Sequence, residues 1–167
     1  LGLVFYLSSG IQKMTASQAT GTFILYSGLN GITFSFIFLA YTASSITSAF
    51  MVTAGTFGVM SLYGYMTKKD LASLGSFLFM GLIGLIIASL VNLFLHNPAL
   101  TWITTYAGVL IFVGLTAYDT QKIKMMNVLR NEGTDEDQKE AIIGALTLYL
   151  DFINLFLMIL RIMGDRR

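Results

Sequence analysis

Two long stretches without a single charged side chain set the terms on which this chain can fold. Met14 to Thr67 is a run of 54 residues, and Leu71 to Tyr118 a run of 48, with no Asp, Glu, Lys or Arg. A helix on the surface of a soluble domain alternates apolar and polar faces, whereas a membrane-crossing helix needs ~20 apolar residues to span ~30 Å of hydrocarbon. Each run is long enough for two crossings. Composition agrees: over 167 residues, charged types make up 11% and hydrophobic types 55%, with a mean hydropathy of +0.73. An average soluble domain carries roughly 25% charge. The sequence therefore reads as an all-α polytopic transmembrane helix bundle, and a soluble enzyme, a disordered tail and a nucleic-acid module are excluded.

The net charge of +1 points to no basic partner surface and gives no reason to expect nucleic acid. Cysteine is absent, which removes disulfides, thiolate nucleophiles and cysteine metal sites, and the one histidine, His96, excludes a histidine-rich metal site. The chain opens at Leu1 inside an apolar stretch, with neither an initiating Met nor the charged region of a signal peptide. That opening reads as a fragment whose first span lies upstream.

Charged and turn-forming residues divide the sequence into six apolar segments of a single membrane domain, residues 1–167. Segment A, 1–12, is a partial span. Segments B, C, D and E are spans at 19–41, 46–66, 71–95 and 99–119, with Pro98 marking the D/E turn. Residues 121–140 form a cytoplasmic connection, and segment F, 141–160, is the last span. The A/B, C/D and E/F connections hold Lys13, Lys68, Lys69, Lys122, Lys124, Arg130 and Lys139, while the B/C and D/E loops hold no basic residue. Basic loops stay in the cytoplasm, so the first set belongs there. A fully crossing F then places Arg161, Arg166 and Arg167 outside, so the spacing leaves F either crossing or re-entrant.

Helices in lipid approach closely where residues are small, and Gly28, Gly31, Gly55, Gly58, Gly81, Gly84 and Ala88 stand at one-turn spacing for that purpose. No phosphate-binding glycine pattern and no fixed-period repeat is present, which weakens a nucleotide-binding or inverted-repeat transporter reading. Trp102 and Tyr106 suit an interfacial belt. The run Glu132, Asp135, Glu136, Asp137, Glu140 lacks calcium-loop spacing and reads as a solvated connection, with Thr134 capping a helix that begins near Asp135 and Asp137 in the capping-box position.

Seven of the nine acidic residues lie in loops or at termini, leaving Asp119 at the end of E and Asp151 in the middle of F. An Asp at a helix centre costs on the order of 3 kcal/mol, so these two need an explanation. Thr147, Asn154 and Leu155 share a face with Asp151 and give F a narrow polar stripe. Counted at 1.5 Å per residue, Asp151 lies about 15 Å deep and Asp119 at most a turn, so a gap of roughly 10 Å must be closed by tilt, by E continuing past the lipid boundary or by a vestibule. Carboxylates that met would share a proton, because two like charges repel in a low dielectric. The alternative is that Asp119 pairs with Lys122 or Lys124 while Asp151 bonds buried hydroxyls. Asn30, Asn92, Asn154, Thr116, Tyr118 and Tyr149 read as interhelical glue, with Thr116, Tyr118, Thr147 and Asn154 also placed to support an acid pair.

Two stretches carry a resemblance. Gly108-Val-Leu-Ile-Phe-Val-Gly-Leu-Thr-Ala-Tyr-Asp-Thr-Gln-Lys-Ile123 and Leu146-Thr-Leu-Tyr-Leu-Asp-Phe-Ile-Asn-Leu-Phe156, with Gly64-Tyr-Met-Thr-Lys-Lys-Asp-Leu71, resemble the seven-span Bax inhibitor-1 family, most of all its bacterial branch. The resemblance covers the chain from late in the second span to its end. It implies a helical bundle in the bacterial inner membrane, in which the aspartates of the last two spans, here Asp119 and Asp151, form a pH-sensing pair governing a calcium leak. In some members a basic residue of the second span joins that latch; here Ser8, Ser9 and Gly10 stand there, with Lys13 the nearest cation.

The expected function is thus a pH-sensitive calcium leak channel or transporter, not an enzyme. It would have no cofactor, with calcium as the transported ion met by Asp119 and Asp151. Lipid, calcium, protons and membrane proteins are the expected partners. A stress-response regulator acting through protein partners is the alternative. An intramembrane aspartyl protease ranks lower, because its G-x-G-D motif is replaced by Leu148-Tyr149-Leu150 before Asp151.

Overall fold

The computed structural model describes residue 10, residues 13–129 and residues 134–165. Apart from Gly10, segment A lies outside them, as do Arg130, Glu132, Arg166 and Arg167. Helix α1 spans Ala16–Phe34, followed by the short α2, Ile37–Ala40. Then come α3, Ala43–Met66, α4, Ala72–Leu95, α5, Pro98–Leu129, and α6, Asp135–Met163. There is no strand among the described residues, and five helical stretches, α1 with α2 counted as one, are long and apolar enough to cross a membrane.

Local sequence sets most of the boundaries. Thr15 caps α1 through a capping box with Gln18, and Thr134 caps α6 through one with Asp137. Between α4 and α5, His96 takes a left-handed backbone (φ 49°), and Asn92 bonds the Asn97 N–H and the Thr101 hydroxyl. The Asn97 side chain then accepts from the Ala99 N–H, with Pro98 in the first helical position where a missing N–H costs nothing. Segment B is interrupted at Ser35, whose hydroxyl bonds the Ile32 carbonyl at 2.6 Å while Phe38 and Leu39 make tightened i→i+3 bonds.

The structure differs most from the expected spans on the side of the basic loops. Segments E and F do not stop where their apolar residues stop: α5 runs on to Leu129 and α6 starts at Asp135, so most of residues 121–140 is helix. Propensity explains this, because Gln, Lys and Met are good helix formers that need no lipid to stay helical. Helix α6 is continuous, and beyond it the Asp165 carbonyl accepts from the Thr42 N–H while the Asp165 N–H donates to the Ser45 hydroxyl. The bundle therefore has a basic end, carrying Lys13, Lys68, Lys69, Lys122, Lys124 and Lys139, and a far end, where Arg161 lies.

Helix α5 is the axis, packed against α3, α4 and α6, with α3 also on α6 and α1 laid chiefly along α6. Burial is inverted relative to a soluble domain. Large apolar side chains face outward, Phe94 to 86%, while Thr53, Thr105 and Thr116 are among the most enclosed. Each of these threonines donates its hydroxyl to the carbonyl four residues earlier on its own helix.

The glycine expectation is largely overturned. Among the described residues, a Cβ placed on Gly28, Gly31, Gly55, Gly58 or Gly84 would meet nothing within 4 Å, and of these candidates only Gly81, 3.2 Å from Ile111, adjoins a neighbour. These glycines fall on faces turned away from the helix crossings. Close approach is made instead at Gly64 against the Ala117 backbone, Gly75 against the Tyr118 ring and Gly144 against Ile123. Gly64→Ala would put a Cβ 2.1 Å from the Ala117 carbonyl oxygen. The clash with backbone, about 1–3 kcal/mol, exceeds the gain of up to about 1 kcal/mol from alanine's helix propensity. Thermal unfolding in detergent should show Gly64→Ala destabilised and Gly28→Ala unchanged or slightly stabilised.

Candidate ion-pathway site

Three of the close glycine contacts frame one position. Gly64 meets α5 at Ala117, Gly75 at Tyr118 and Gly144 at Ile123, so the backbones of α3, α4 and α6 converge on the turn holding Asp119. The Gly144–Ile123 crossing also sets the register between the two acids. From it Asp119 lies four residues along α5 and Asp151 seven along α6, a depth of roughly 6 Å and roughly 10 Å, a difference side chains can bridge. The separation anticipated from span lengths closes because α5 and α6 both extend beyond the lipid-facing residues. The two carboxyl groups line the wall of one cavity.

Asp151 is enclosed, with 5% of its surface exposed, and its Oδ2 has no hydrogen-bond partner among the described residues. A buried acceptor without a donor is costly, of order 1–3 kcal/mol and more for a charged group, and it stands where a proton or cation would be held. Both acids open onto a cavity of about 840 Å³ between α4, α5 and α6. Lys122 lines the same cavity, but no ion pair joins it to Asp119 among the described residues. Lys124 is engaged elsewhere: its ammonium donates to the Tyr65 carbonyl at 2.7 Å and lies 4.8 Å above the Tyr65 ring. The alternative in which Asp119 pairs with a following lysine is not what the side chains do.

The supporting residues divide. Tyr118, Thr147 and Asn154 line the cavity with the acids. Thr147 and Asn154 also bond carbonyls of their own helix, Ile143 and Leu150, which fixes their rotamers and leaves the Asn154 amide oxygen as an acceptor. Thr116 is fully buried against Phe112 and does not line the cavity. Among the described residues, no third acidic or histidine side chain joins the two acids in a group that could hold a metal ion.

One residue of the site escaped the sequence reading. Gln121 is buried, accepting from the Leu71 N–H at 2.9 Å and donating to the Lys69 carbonyl at 2.8 Å, so that it clamps the α3–α4 loop onto α5 beside Asp119. Its signal was its spacing, one turn after the Ala117 crossing on the same face of α5.

The chain's relatives share these segments. The family model described as Inhibitor of apoptosis-promoting Bax1 matches residues 1–167. The chain belongs to the Bax inhibitor-1 family. Bax inhibitor-1 relatives similar to it include the inner membrane protein YbhL of Escherichia coli strain K12, 60% identical over 168 residues, covering 100% of this chain and 72% of that protein. A Rickettsia prowazekii protein, RP147, is 51% identical over 168 residues, covering 100% and 70%. A Borreliella burgdorferi protein is 49% identical over 166 residues, covering 99% and 72%.

Removing the Gln121 clamp should free the loop beside the Bax inhibitor-1 acid pair. Losing its two hydrogen bonds costs about 1 kcal/mol or more, equivalent to roughly fivefold greater opening. Gln121→Ala should raise tryptic cleavage at Lys68 and Lys69 by about that factor, whereas Thr120→Ala, which loses only a bond within α5, should leave it unchanged.

Proposed function

We propose that this Bax inhibitor-1 protein is a pH-sensitive calcium leak pathway in the bacterial inner membrane, controlled by Asp119 and Asp151, and that it performs no covalent chemistry. The observation that carries the reading is the enclosed Asp151 carboxyl, with one oxygen unpartnered among the described residues, sharing with Asp119, Thr147 and Asn154 the wall of an otherwise largely apolar cavity. Two like charges side by side in a low dielectric repel, and a single proton between them converts the repulsion into a hydrogen bond. In that state α6 is held on α5. Loss of the proton restores two negative charges, drives the helices apart and leaves carboxylate, hydroxyl and amide oxygens along the cavity. Calcium takes six to eight oxygen ligands, and this set with water offers a passing ion fewer and weaker ones than a storage site would.

The name of the Escherichia coli relative supports the inner membrane as location. The six lysines at one end support a cytoplasmic position for that end and for the acid pair. Hydrolysis is a weaker reading of the same two acids, since Leu148-Tyr149-Leu150 precede Asp151 in place of a glycine motif.

Calcium efflux from proteoliposomes is the test. The wild-type protein should leak faster as the pH rises and the shared proton is lost. Asp119→Asn and Asp151→Asn each remove the titrating pair, so the dependence of flux on pH should flatten in both. If both variants kept wild-type flux and wild-type pH dependence, the reading would fail.

A further inference from the structure

The acid-lined cavity is not the only opening between α4, α5 and α6. A second cavity of about 870 Å³ lies toward the far end, lined by Ser89 and Asn92 of α4, Thr101 and Thr104 of α5, and Arg161 of α6. One side chain lies on the wall of both cavities: Met158. The helices line the two openings along the same faces, one turn after another. On α4, Leu82 and Leu85 of the first cavity lead to Ser89 and Asn92 of the second; on α6, Asp151, Asn154 and Met158 lead to Arg161.

On α5 the first cavity ends at Phe112 and the second begins at Thr104, and midway between them stands Gly108, which is buried. A Cβ built on Gly108 would lie 2.0 Å from the Met158 sulfur, 2.5 Å from its methyl and 3.1 Å from a Leu85 methyl. The thioether therefore occupies the space that any other residue at 108 would fill. Three helices meet here through a flexible apolar side chain, a leucine and a bare backbone, with the acid pair's cavity on one side and the Arg161 cavity on the other.

We propose that the two cavities are halves of one conduit and that Met158, seated on Gly108 and flanked by Leu85, is the barrier that closes it. This rests on the reading of the acid-lined cavity as an ion path, and it adds where that path is shut. The barrier is separate from the acid pair: Met158 lies seven residues beyond Asp151 on α6, two turns toward the far end. A thioether suits the task because it is apolar enough to exclude water and ions, yet has three rotatable bonds with which to swing aside. Movement of α6 would carry Met158 off its seat, so the proton state at Asp151 and closure at Met158 act through one helix.

These 167 residues contain no cysteine, so an introduced thiol is the only reactive one among them, and any cysteine elsewhere in the full-length protein is first replaced by serine. Ser76 lines the acid-side cavity and Ser89 the far-end cavity, both on α4. Ser76→Cys and Ser89→Cys are near-isosteric reporters for a charged, membrane-impermeant methanethiosulfonate applied to full-length protein in sealed proteoliposomes. With Met158 in place, reagent added from the far-end side should label Ser89→Cys but not Ser76→Cys. Adding Met158→Ala should raise the far-side labelling rate of Ser76→Cys by roughly tenfold or more, a lowering of the barrier to passage by at least about 1.4 kcal/mol, while Ser89→Cys keeps its rate and so reports an intact fold. Gly108→Ala, whose Cβ displaces the thioether, supplies the second variant and should also open the path.

Far-side labelling of Ser76→Cys with Met158 present would overturn the proposal. So would a Ser76→Cys that stays protected in both barrier variants while Ser89→Cys reacts normally. No calcium is present in the assay, so its outcome stands apart from the efflux test of the acid pair.

Discussion

Everything in this bundle depends on how closely other helices can approach α5. In lipid there is no hydrophobic force between helices, so association relies on dispersion over short distances and on the few polar contacts the helices share. Those distances are reached at Gly64, Gly75 and Gly144, each meeting α5 within the stretch from Ala117 to Ile123. The acid pair is a product of that convergence: Asp119 is held inward because three backbones crowd the turn on which it stands. Asp151 comes level with it because the Gly144–Ile123 crossing fixes the register of α6 on α5.

Polar groups inside the bundle fall into two kinds. Thr53, Thr105 and Thr116 satisfy themselves locally by bonding the carbonyl four residues back, and they add no chemistry. Gln121 and Asn92 are spent on structure: one holds the Lys69–Leu71 loop on α5 and the other joins α4 to α5 through Thr101. Asp151 belongs to neither kind, because one of its oxygens is buried without a donor. The Ser27 and Ser61 hydroxyls are also buried without a partner among the described residues, but Asp151 is the one acid in that position.

Much of this was legible in the sequence, for reasons particular to a lipid environment. The charge-free runs marked the spans, since a charge in hydrocarbon is expensive enough to leave a clean record. The same expense singled out Asp119 and Asp151, and the Thr134–Asp137 capping box was visible because its chemistry is local. The helix ends on the basic side were not legible, because apolarity reports where lipid lies and says nothing about where a helix stops. Nor were the packing glycines. Spacing singled out Gly28, Gly31, Gly55 and Gly58 and passed over Gly64 and Gly144, because only the crossing geometry tells an open glycine face from an occupied one. Gln121 was passed over because a polar residue just beyond an apolar run looks like the start of a loop.

The attachment of α1 has a mechanical consequence. At the basic end the Ala16 N–H donates to the Asp135 carboxylate, and further along Phe23 and Tyr26 make edge-on ring contacts with Tyr149. Helix α1 is thus fastened at two points to α6, the helix that carries Asp151, and has no comparable hold on α5. Any rotation of α6 about its long axis would be converted into a sideways sweep of α1 through the lipid.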